Sequence, residues 1–152
     1  MSDTYDRVEV LQASPLFNDL LPIEKQYLAD LAVHRSLGAG DVLFEAGDLG
    51  DAMYVVVSGE LVVEVGEGDL AHQVAVLEAP DFVGEMALID KQPRAARVRA
   101  NSDAVLLAIS HANIYSFARV HRSGFTWLVV NIAKNLASRL RSMNEATLGV
   151  AE

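Results

Sequence analysis

The 152 residues are about one domain in length, and a hydrophobic fraction of 51% supplies a core without metal or disulfide support. The net charge of −9 argues against a general binder of nucleic-acid backbones, because such proteins need a broad basic surface. The absence of cysteine excludes disulfides, thiolate zinc sites and cysteine nucleophiles, and it fits a reducing compartment.

The N-terminal segment does not have the pattern of a secretion signal. Met1 to Val10 carries Asp3, Asp6 and Glu9 and has no apolar core of signal-peptide length. No stretch of the sequence approaches the ~20 apolar residues that a membrane span requires. We therefore expect a cytoplasmic protein with no membrane insertion.

Helices are predicted first and strands after them. Residues 14 to 34 combine an apolar cluster that ends at Leu21 with an amphipathic run after Pro22, and proline suits the first turn of that second helix. From Gly38 onward, glycine and aspartate separate short runs rich in β-branched residues. These runs predict short antiparallel strands at Val42 to Glu45, Ala52 to Ser58, Leu61 to Val65 and Gln73 to Leu77.

The connections between the predicted strands are rich in turn-forming residues. Ser58-Gly59 joins two valine-rich runs and predicts a tight hairpin. Two further strands are predicted at Ala96 to Ala100 and at Ala104 to Ile109. Several short strands with one polar face close most economically into a sandwich or a barrel.

The C-terminal part of the chain is predicted to be helical. Ser110 is expected to cap a short helix through Phe117, and Arg122 to Ala146 has the pattern of one long helix. Apolar residues occupy more than one face of the long helix, so it must bury the excess against its own barrel or against a second copy. We therefore expect a homodimer through this helix, or an effector protein that docks on it.

The segment from Asp81 to Val98 has the composition of an anion site. Gly84 allows close approach, and Met86 to Asp90 is long enough for one helical turn whose free N–H groups favour an anion. Arg94 adds a planar guanidinium that matches two phosphate oxygens. Glu85 would be repelled by that anion and is better placed to accept a hydrogen bond from a sugar hydroxyl. The alternative interpretation of the basic residues is an ordinary solvated strand; they are Lys91, Arg94, Arg97 and Arg99.

The run from Gly84 to Ala100, GEMALIDKQPRAARVRA, resembles the phosphate-binding cassette of cyclic nucleotide-binding domains. Upstream residues are spaced like the β-roll signature of that family; they are Gly40, Leu43, Gly47-Asp48, Tyr54, Val57 and Gly59. Ser14-Pro15-Leu16-Phe17 resembles the first helix of the bacterial members. The resemblance covers about residues 14 to 145 and is to the sensor domains of bacterial cAMP receptor proteins and of protein kinase A regulatory subunits.

This resemblance implies a fold and a domain organisation. The implied fold is mainly β with flanking helices: an antiparallel β-roll, which is a jelly-roll-like double-stranded β-helix, with N-terminal helices and a long C-terminal helix. Residues 1–13 would be an N-terminal extension, 14–146 the cyclic nucleotide-binding domain and 147–152 a tail. Within the domain, the β-roll would span about 38–109 and the C-terminal helices 110–146.

The resemblance also implies a role for the residues of the cassette. Arg94 matches the arginine that pairs with the exocyclic oxygens of the cyclic phosphate, and Glu85 matches the glutamate that accepts from the ribose 2′-hydroxyl. Backbone donors or close-approach positions on the sugar side are Gly84, Met86 and Ala87. The backbone N–H groups expected to meet the phosphate are those of Ala95 and Ala96.

In this family the C-terminal helix covers the base. The base contacts expected here are Val83, Leu140, Met143 and Asn144. Asn144 would hydrogen-bond adenine, and the alternative interpretation is that Met143 and Asn144 are surface residues near a helix end. Ala95 resembles cAMP-preferring members, because cGMP-preferring ones often carry threonine there. The implied ligand is cAMP, with cGMP second, and neither a metal nor another cofactor is expected.

Two residues of the cassette depart from the family pattern. Lys91 stands where glycine is frequent, so the turn there is expected to differ slightly. Arg97 stands where a small hydroxyl residue is common, which leaves the detail of the pocket open.

Taken together, the sequence favours a stand-alone cyclic nucleotide sensor that relays ligand occupancy through its C-terminal helix. The alternative is a truncated or degenerate domain of a cAMP-receptor-like regulator, acting as a protein-interaction module without nucleotide binding. Direct DNA binding is not expected, because the sequence shows no DNA-reading helix. An enzyme is not expected, because the histidines are scattered and have the pattern of surface or capping residues; they are His34, His72, His111 and His121.

Overall fold

The secondary structure is that of a computed structural model, which describes residues 4–148. The helices are α1 Arg7–Ala13, α2 Pro22–Leu31, α3 Met86–Asp90, α4 His111–Val120 and α5 Arg122–Leu148. The strands are β1 Val33–Leu37, β2 Val42–Phe44, β3 Ala52–Ser58, β4 Glu60–Val65, β5 His72–Glu78, β6 Phe82–Val83, β7 Arg97–Ala100 and β8 Ala104–Ser110. Short 3₁₀ turns lie at Pro15–Phe17 and Gly68–Leu70.

In this described part of the chain, the strands form two antiparallel four-stranded sheets. The first sheet has the order β1-β8-β3-β6, and the second has the order β2-β7-β4-β5. Strand β6 ends the first sheet by pairing Val83 with Tyr54 of β3, and the cassette begins at the next residue. A roll of two sheets with flanking helices and a long C-terminal helix confirms the predicted fold class.

The first sheet separates two apolar clusters. Side chains alternate between the faces of a strand, and in β8 the buried Leu106 belongs to the cluster between the sheets. Its neighbour Leu107 belongs to the other cluster, in which the sheet packs against helices through Phe117 and Leu128. The cassette therefore leaves the sheet close to the helical layer that contains α4 and α5.

Local sequence explains where the helices begin. The Asp6 side chain accepts from the backbone N–H groups of Val8 and Glu9 and so caps α1, a helix that the sequence reading did not predict. Pro22 occupies the first turn of α2, as predicted. Ser110 caps α4 by accepting from the N–H of Asn113, also as predicted.

The predicted hairpin at Ser58-Gly59 is wrong. Strands β3 and β4, which it joins, lie in different sheets, so this turn is a corner of the roll. Gly59 has φ +83°, and a Cβ atom there would collide with the backbone carbonyl of Asp103. The glycine is therefore required for close passage of two chain segments rather than for a two-residue β-turn.

The first strand also departs from expectation. Strand β1 lies at Val33–Leu37, before the predicted start of the roll at about residue 38. Four of its five residues are exposed, so its sequence carries no alternating apolar signal. The domain boundaries at 13/14 and 146/147 stay predictions. Helix α5 continues to Leu148, and residues 149–152 of the predicted tail lie outside the described residues.

Between residues 4 and 148, no helix is long and apolar enough to cross a membrane.

Candidate functional site

Arg94 is the buried cation of the cassette. Its side chain is only 8% exposed. Its Nη2 donates to the carbonyl oxygen of Ala52 at 2.7 Å, and its Nη1 donates to that of Gly84 at 3.2 Å. The guanidinium carbon lies 4.2 Å from the centre of the Phe44 ring. Within the described residues Arg94 forms no direct ion pair with a carboxylate, and the groups in contact with its guanidinium are neutral, although the charge of Arg94 attracts the nearby carboxylate of Glu85.

Two glycines leave the space that the guanidinium fills. A Cβ atom on Gly50 would lie 2.7 Å from Cζ of Arg94, and one on Gly84 would lie 2.8 Å from Nη1. Gly84 also has φ +89°, a backbone conformation that other residues rarely adopt. The loop before β3 and the end of β6 therefore set the position of Arg94 together.

Glu85 brings a buried carboxylate next to this cation. The residue is 2% exposed, and burial raises the pKa of its carboxyl above the usual value, while its own backbone and the charges of Arg139 and Arg94 act in the opposite direction. Its side chain makes no capping bond to α3, although it stands at the cap position of that helix. Its Oε1 lies 3.7 Å from Nη1 of Arg139 on α5. The carboxylate therefore joins the cassette to α5 through Arg139.

The other three basic residues near the cassette have different surroundings. Arg97 pairs with Glu45 on the surface at 2.6 Å, and Arg99 pairs with Glu64 at 3.0 Å. Lys91 has φ 55°, the left-handed conformation that glycine adopts without strain. Of the four, Arg94 alone is buried, so the solvated-strand interpretation fits its neighbours but not Arg94.

The remaining predicted cassette contacts lie around this pair of charges. Val83 is half-buried at the end of β6, and Ala87 is buried in the first turn of α3. Met86 is 44% exposed. After the arginine, Ala95 is exposed and Ala96 is half-buried. The structure therefore brings Val83 to Ala87 and Arg94 to Ala96 together in one loop cluster.

The predicted base contacts on α5 are not enclosed. Leu140 is 58% exposed and Met143 is 65% exposed, and Asn144 is exposed as well. The contact that ties this end of α5 to the cassette is the ion pair between Arg139 and Glu85.

His111 departs from the prediction of a surface or capping histidine. It is the first residue of α4, is 8% exposed, and its Nε2 is buried with no hydrogen-bond partner among the described residues. Its imidazole interacts with the backbone at Gly84 and at Gly50 and with the charge of Arg94. The prediction failed because this environment arises from segments distant in sequence.

Other contributors were missed for the same reason. Phe44 and the carbonyl of Ala52 hold the guanidinium from strands far upstream of it. Gly50-Asp51 carries only a turn signal in the sequence, and nothing local indicates that Gly50 faces Arg94. No cluster of three or more metal-ligating His, Asp or Glu side chains occurs in residues 4–148.

Comparisons with known protein sequences point to one family. The family model described as "Cyclic nucleotide-binding domain" matches residues 34–121. The chain is 32% identical over 132 residues to the cyclic AMP receptor protein of Thermus thermophilus, covering 86% of this chain and 59% of that protein. It is 33% identical over 100 residues to the cAMP-dependent protein kinase type II regulatory subunit of Drosophila melanogaster, covering 66% of this chain and 26% of that subunit. The chain thus spans about a quarter to three fifths of the length of these relatives.

A solved structure extends the comparison. The N-terminal domain of a transcriptional regulator from Streptomyces coelicolor A3(2) superposes with a TM-score of 0.75 at 32% sequence identity. The match covers 91% of this chain and 94% of that chain. The similarity therefore includes the helices that flank the roll.

Proposed function

Because this chain belongs to the cyclic nucleotide-binding domain family, we propose that it binds a cyclic nucleoside monophosphate at the cassette, with cAMP preferred over cGMP. The observation that carries the proposal is the buried guanidinium of Arg94, held by two carbonyls and a ring with no carboxylate partner in the described residues. A cyclic phosphodiester is a small monoanion, and it would supply the direct ion pair that Arg94 lacks.

The phosphate contacts follow from the position of Arg94. Its planar fork can donate to two oxygens of one phosphate, and such charge-assisted bonds are about twice as strong as neutral ones. The backbone N–H groups of Ala95 and Ala96 follow directly, and a methyl side chain leaves them accessible. A ligand would have to draw the guanidinium partly away from the carbonyls of Ala52 and Gly84. Part of the binding free energy would offset that loss.

The ribose contact rests on Glu85. A buried carboxylate that makes no capping bond and meets Arg139 at 3.7 Å retains capacity to accept a hydrogen bond, and a sugar hydroxyl is a donor of the required kind. The backbone at Gly84, Met86 and Ala87 would approach the same sugar.

Most of the proposed base contacts lie on the exposed end of α5, and the purine preference depends on the residue at position 95. Val83, Leu140, Met143 and Asn144 would enclose the base only if the end of α5 moved over it, because its residues are now exposed. Alanine at position 95 supports cAMP, since a threonine there would offer a hydrogen bond to the guanine amino group. Asn144 would supply the hydrogen bond to adenine.

We further propose a regulatory role without catalysis. The relatives described above are a receptor, a kinase regulatory subunit and a transcriptional regulator. A nucleotide bound at Glu85 would change the strength of the ion pair between Glu85 and Arg139. That change would bias the position of α5. A ligand shifts such an equilibrium only by its difference in affinity for the two states. A homodimer or an effector protein would read that position.

Calorimetric titration tests the proposal. Both cAMP and cGMP should give binding heat with a one-to-one stoichiometry, and cAMP should have the lower Kd. The control ligand 5′-AMP should bind much more weakly, because its phosphate is a dianion and is not closed into a ring. Ligand at 100 times its Kd should stabilise the fold by ~2.7 kcal/mol, or about 5–10 °C in Tm. No heat and no thermal shift with either cyclic nucleotide would overturn the proposal.

A second function is favoured by the surface of α5. Trp127 is 41% exposed, and Leu140 and Met143 are more exposed still, so this helix presents apolar side chains to solvent. An interaction module that binds no nucleotide would keep this surface and lose the cassette function. Light scattering at tens of micromolar with and without cAMP separates the two functions, because a mass that is independent of cAMP, together with silent calorimetry, favours the interaction module.

A further inference from the structure

His111 contacts the two segments that position Arg94, which are the loop before β3 and the cassette. Its backbone N–H donates to the carbonyl oxygen of Asp51 at 2.8 Å, which fixes the start of α4 against the loop before β3. Its imidazole is buried, and Nε2 has no partner among the described residues. A buried nitrogen without a partner is costly, and a protonated one would be more so.

The charged and polar groups around the imidazole come from two segments. Arg94 and the backbone at Gly84 belong to the cassette; the backbone at Gly50 and the carboxylate of Asp51 belong to the loop before β3. Burial, the largest effect, lowers the pKa of His111, and the charge of Arg94 lowers it further. The two backbone groups and Asp51 act in the opposite direction but do not reverse the shift. The ligand-free protein therefore holds His111 neutral at neutral pH.

A bound phosphodiester changes this balance. The ligand places one negative charge against Arg94, and that charge opposes the repulsion between the guanidinium and a protonated imidazole. Protonation of His111 becomes easier in the complex than in the free protein. By linkage, a group that takes up protons more readily in the complex makes binding tighter as the pH falls through its titration range.

We propose that His111 is a positioning residue of the anion site and that its protonation is linked to cyclic nucleotide binding. In the free protein the neutral imidazole is buried beside the backbone of Gly84 and Gly50, and the complex takes up a fraction of a proton at this ring. The inference rests on the proposed function, since the linkage requires the anion to sit at Arg94. It adds a titratable side chain from α4 to a site whose charged side chains are Arg94 and Glu85 of the cassette and Arg139 of α5.

The sign of the effect separates this role from a purely structural one. The folded protein without ligand should lose stability as the pH falls, because a histidine whose pKa is depressed by folding stabilises the fold above its ordinary pKa and opposes it when protonated. Nucleotide affinity should move the other way and rise as the pH falls below about 6.5, because the pKa of His111 in the free protein lies below that ordinary value. One pKa unit of linkage corresponds to at most about a tenfold change in affinity.

Calorimetry in two buffers measures the linkage directly. The wild-type protein is titrated with cAMP at about pH 6 in two buffers with different ionisation enthalpies, and the difference in heat gives the number of protons taken up. We expect uptake of a fraction of a proton by the wild-type protein and little or none by His111→Gln. His72→Gln is the matched control, because His72 is exposed at the start of β5, and it should behave as the wild type.

Each outcome decides one of the two proposals. Binding heat without proton uptake in the wild type, or equal uptake in His111→Gln, overturns the role of His111 and leaves nucleotide binding intact. No binding heat at any pH overturns nucleotide binding and this inference with it. If His111→Gln does not fold, the imidazole resonances of the wild type decide instead: one histidine should titrate at a higher pH with cAMP than without, and an unchanged titration overturns the inference.

Discussion

The two sides of the proposed nucleotide site differ sharply in how completely they are formed. On the cassette side, Glu85 is 2% exposed and Arg94 is 8% exposed, and each is fixed by neighbours from other segments. On the α5 side, Leu140 and Met143 are more than half exposed, and an ion pair of 3.7 Å between Arg139 and Glu85 connects this part of the helix to the cassette.

This difference indicates a division of labour. Groups that bind a charged phosphate gain most from being preorganised, because a fixed cation and fixed dipoles need no rearrangement when the anion arrives. A helix end that is to report occupancy must instead have two positions of similar free energy. The cassette side is therefore expected to determine affinity, and the α5 side is expected to transmit the signal.

The largest effect expected from this comparison is that of Arg94→Ala. Loss of a charged hydrogen bond costs about 1.5–3 kcal/mol, which is roughly a 10- to 100-fold rise in the Kd for cAMP, and the desolvated phosphate would add to it. Calorimetry measures the change. Arg97→Ala is the matched control, because Arg97 is three residues away and pairs with Glu45 at the surface. Equal affinity of Arg94→Ala and the wild type would place the anion elsewhere.

Gly50→Ala is expected to be the next in size. The added methyl would lie 2.7 Å from Cζ of Arg94, so the guanidinium must move, and misplacement of a bidentate donor should raise the Kd about tenfold. Gly38→Ala is the control, because a methyl there makes an ordinary contact of 3.4 Å with Asp41. If both variants bind as the wild type does, the observed position of Arg94 does not matter for binding.

The contrast between these two residues shows what the sequence could predict. Arg94 and Glu85 are recognisable because the cassette is continuous in sequence and carries its own glycine, short helix and arginine. Gly50 acts through a contact between segments more than forty residues apart, and no local pattern indicates such a contact. The hairpin predicted at Ser58-Gly59 is wrong for the same reason, since only the tertiary structure shows that the flanking strands enter different sheets. Strands β3 and β8 match the predicted runs at Ala52 to Ser58 and Ala104 to Ile109, because most residues of both runs are apolar.

Glu85→Gln should change stability and selectivity in opposite senses. Burial raises the pKa of the Glu85 carboxyl, and a group of this kind stabilises the fold below its ordinary pKa of 4.5 and opposes it once ionised in the folded state. At pH 7 the amide should therefore raise the Tm of the ligand-free protein, and the gain should vanish near pH 4. About 1 kcal/mol corresponds to about 2–4 °C for a chain of this size.

The same variant should bind cAMP more weakly and should discriminate less between cAMP and 2′-deoxy-cAMP, because the carboxylate acceptor for the 2′-hydroxyl is gone. Thermal melts at two pH values and paired titrations measure both effects. A lower Tm at pH 7 with unchanged discrimination would mean that Glu85 is a structural residue rather than a ligand contact.

The smallest effect on affinity is expected from the residue that joins the two sides. Arg139 is about half exposed, and a pair of this kind contributes about 0.2–1 kcal/mol, so Arg139→Ala should change the Kd for cAMP by no more than about fivefold.

The effect of Arg139→Ala on signal transmission should be larger, because the cassette would lose its charged contact with α5. Hydrogen exchange along α5 with and without cAMP measures this, and the ligand-dependent difference should shrink in Arg139→Ala but persist in Arg141→Ala, whose side chain is also exposed. A tenfold loss of affinity with unchanged exchange would reverse the comparison, since α5 would then be part of the binding surface and the signal would have to leave the cassette through α4.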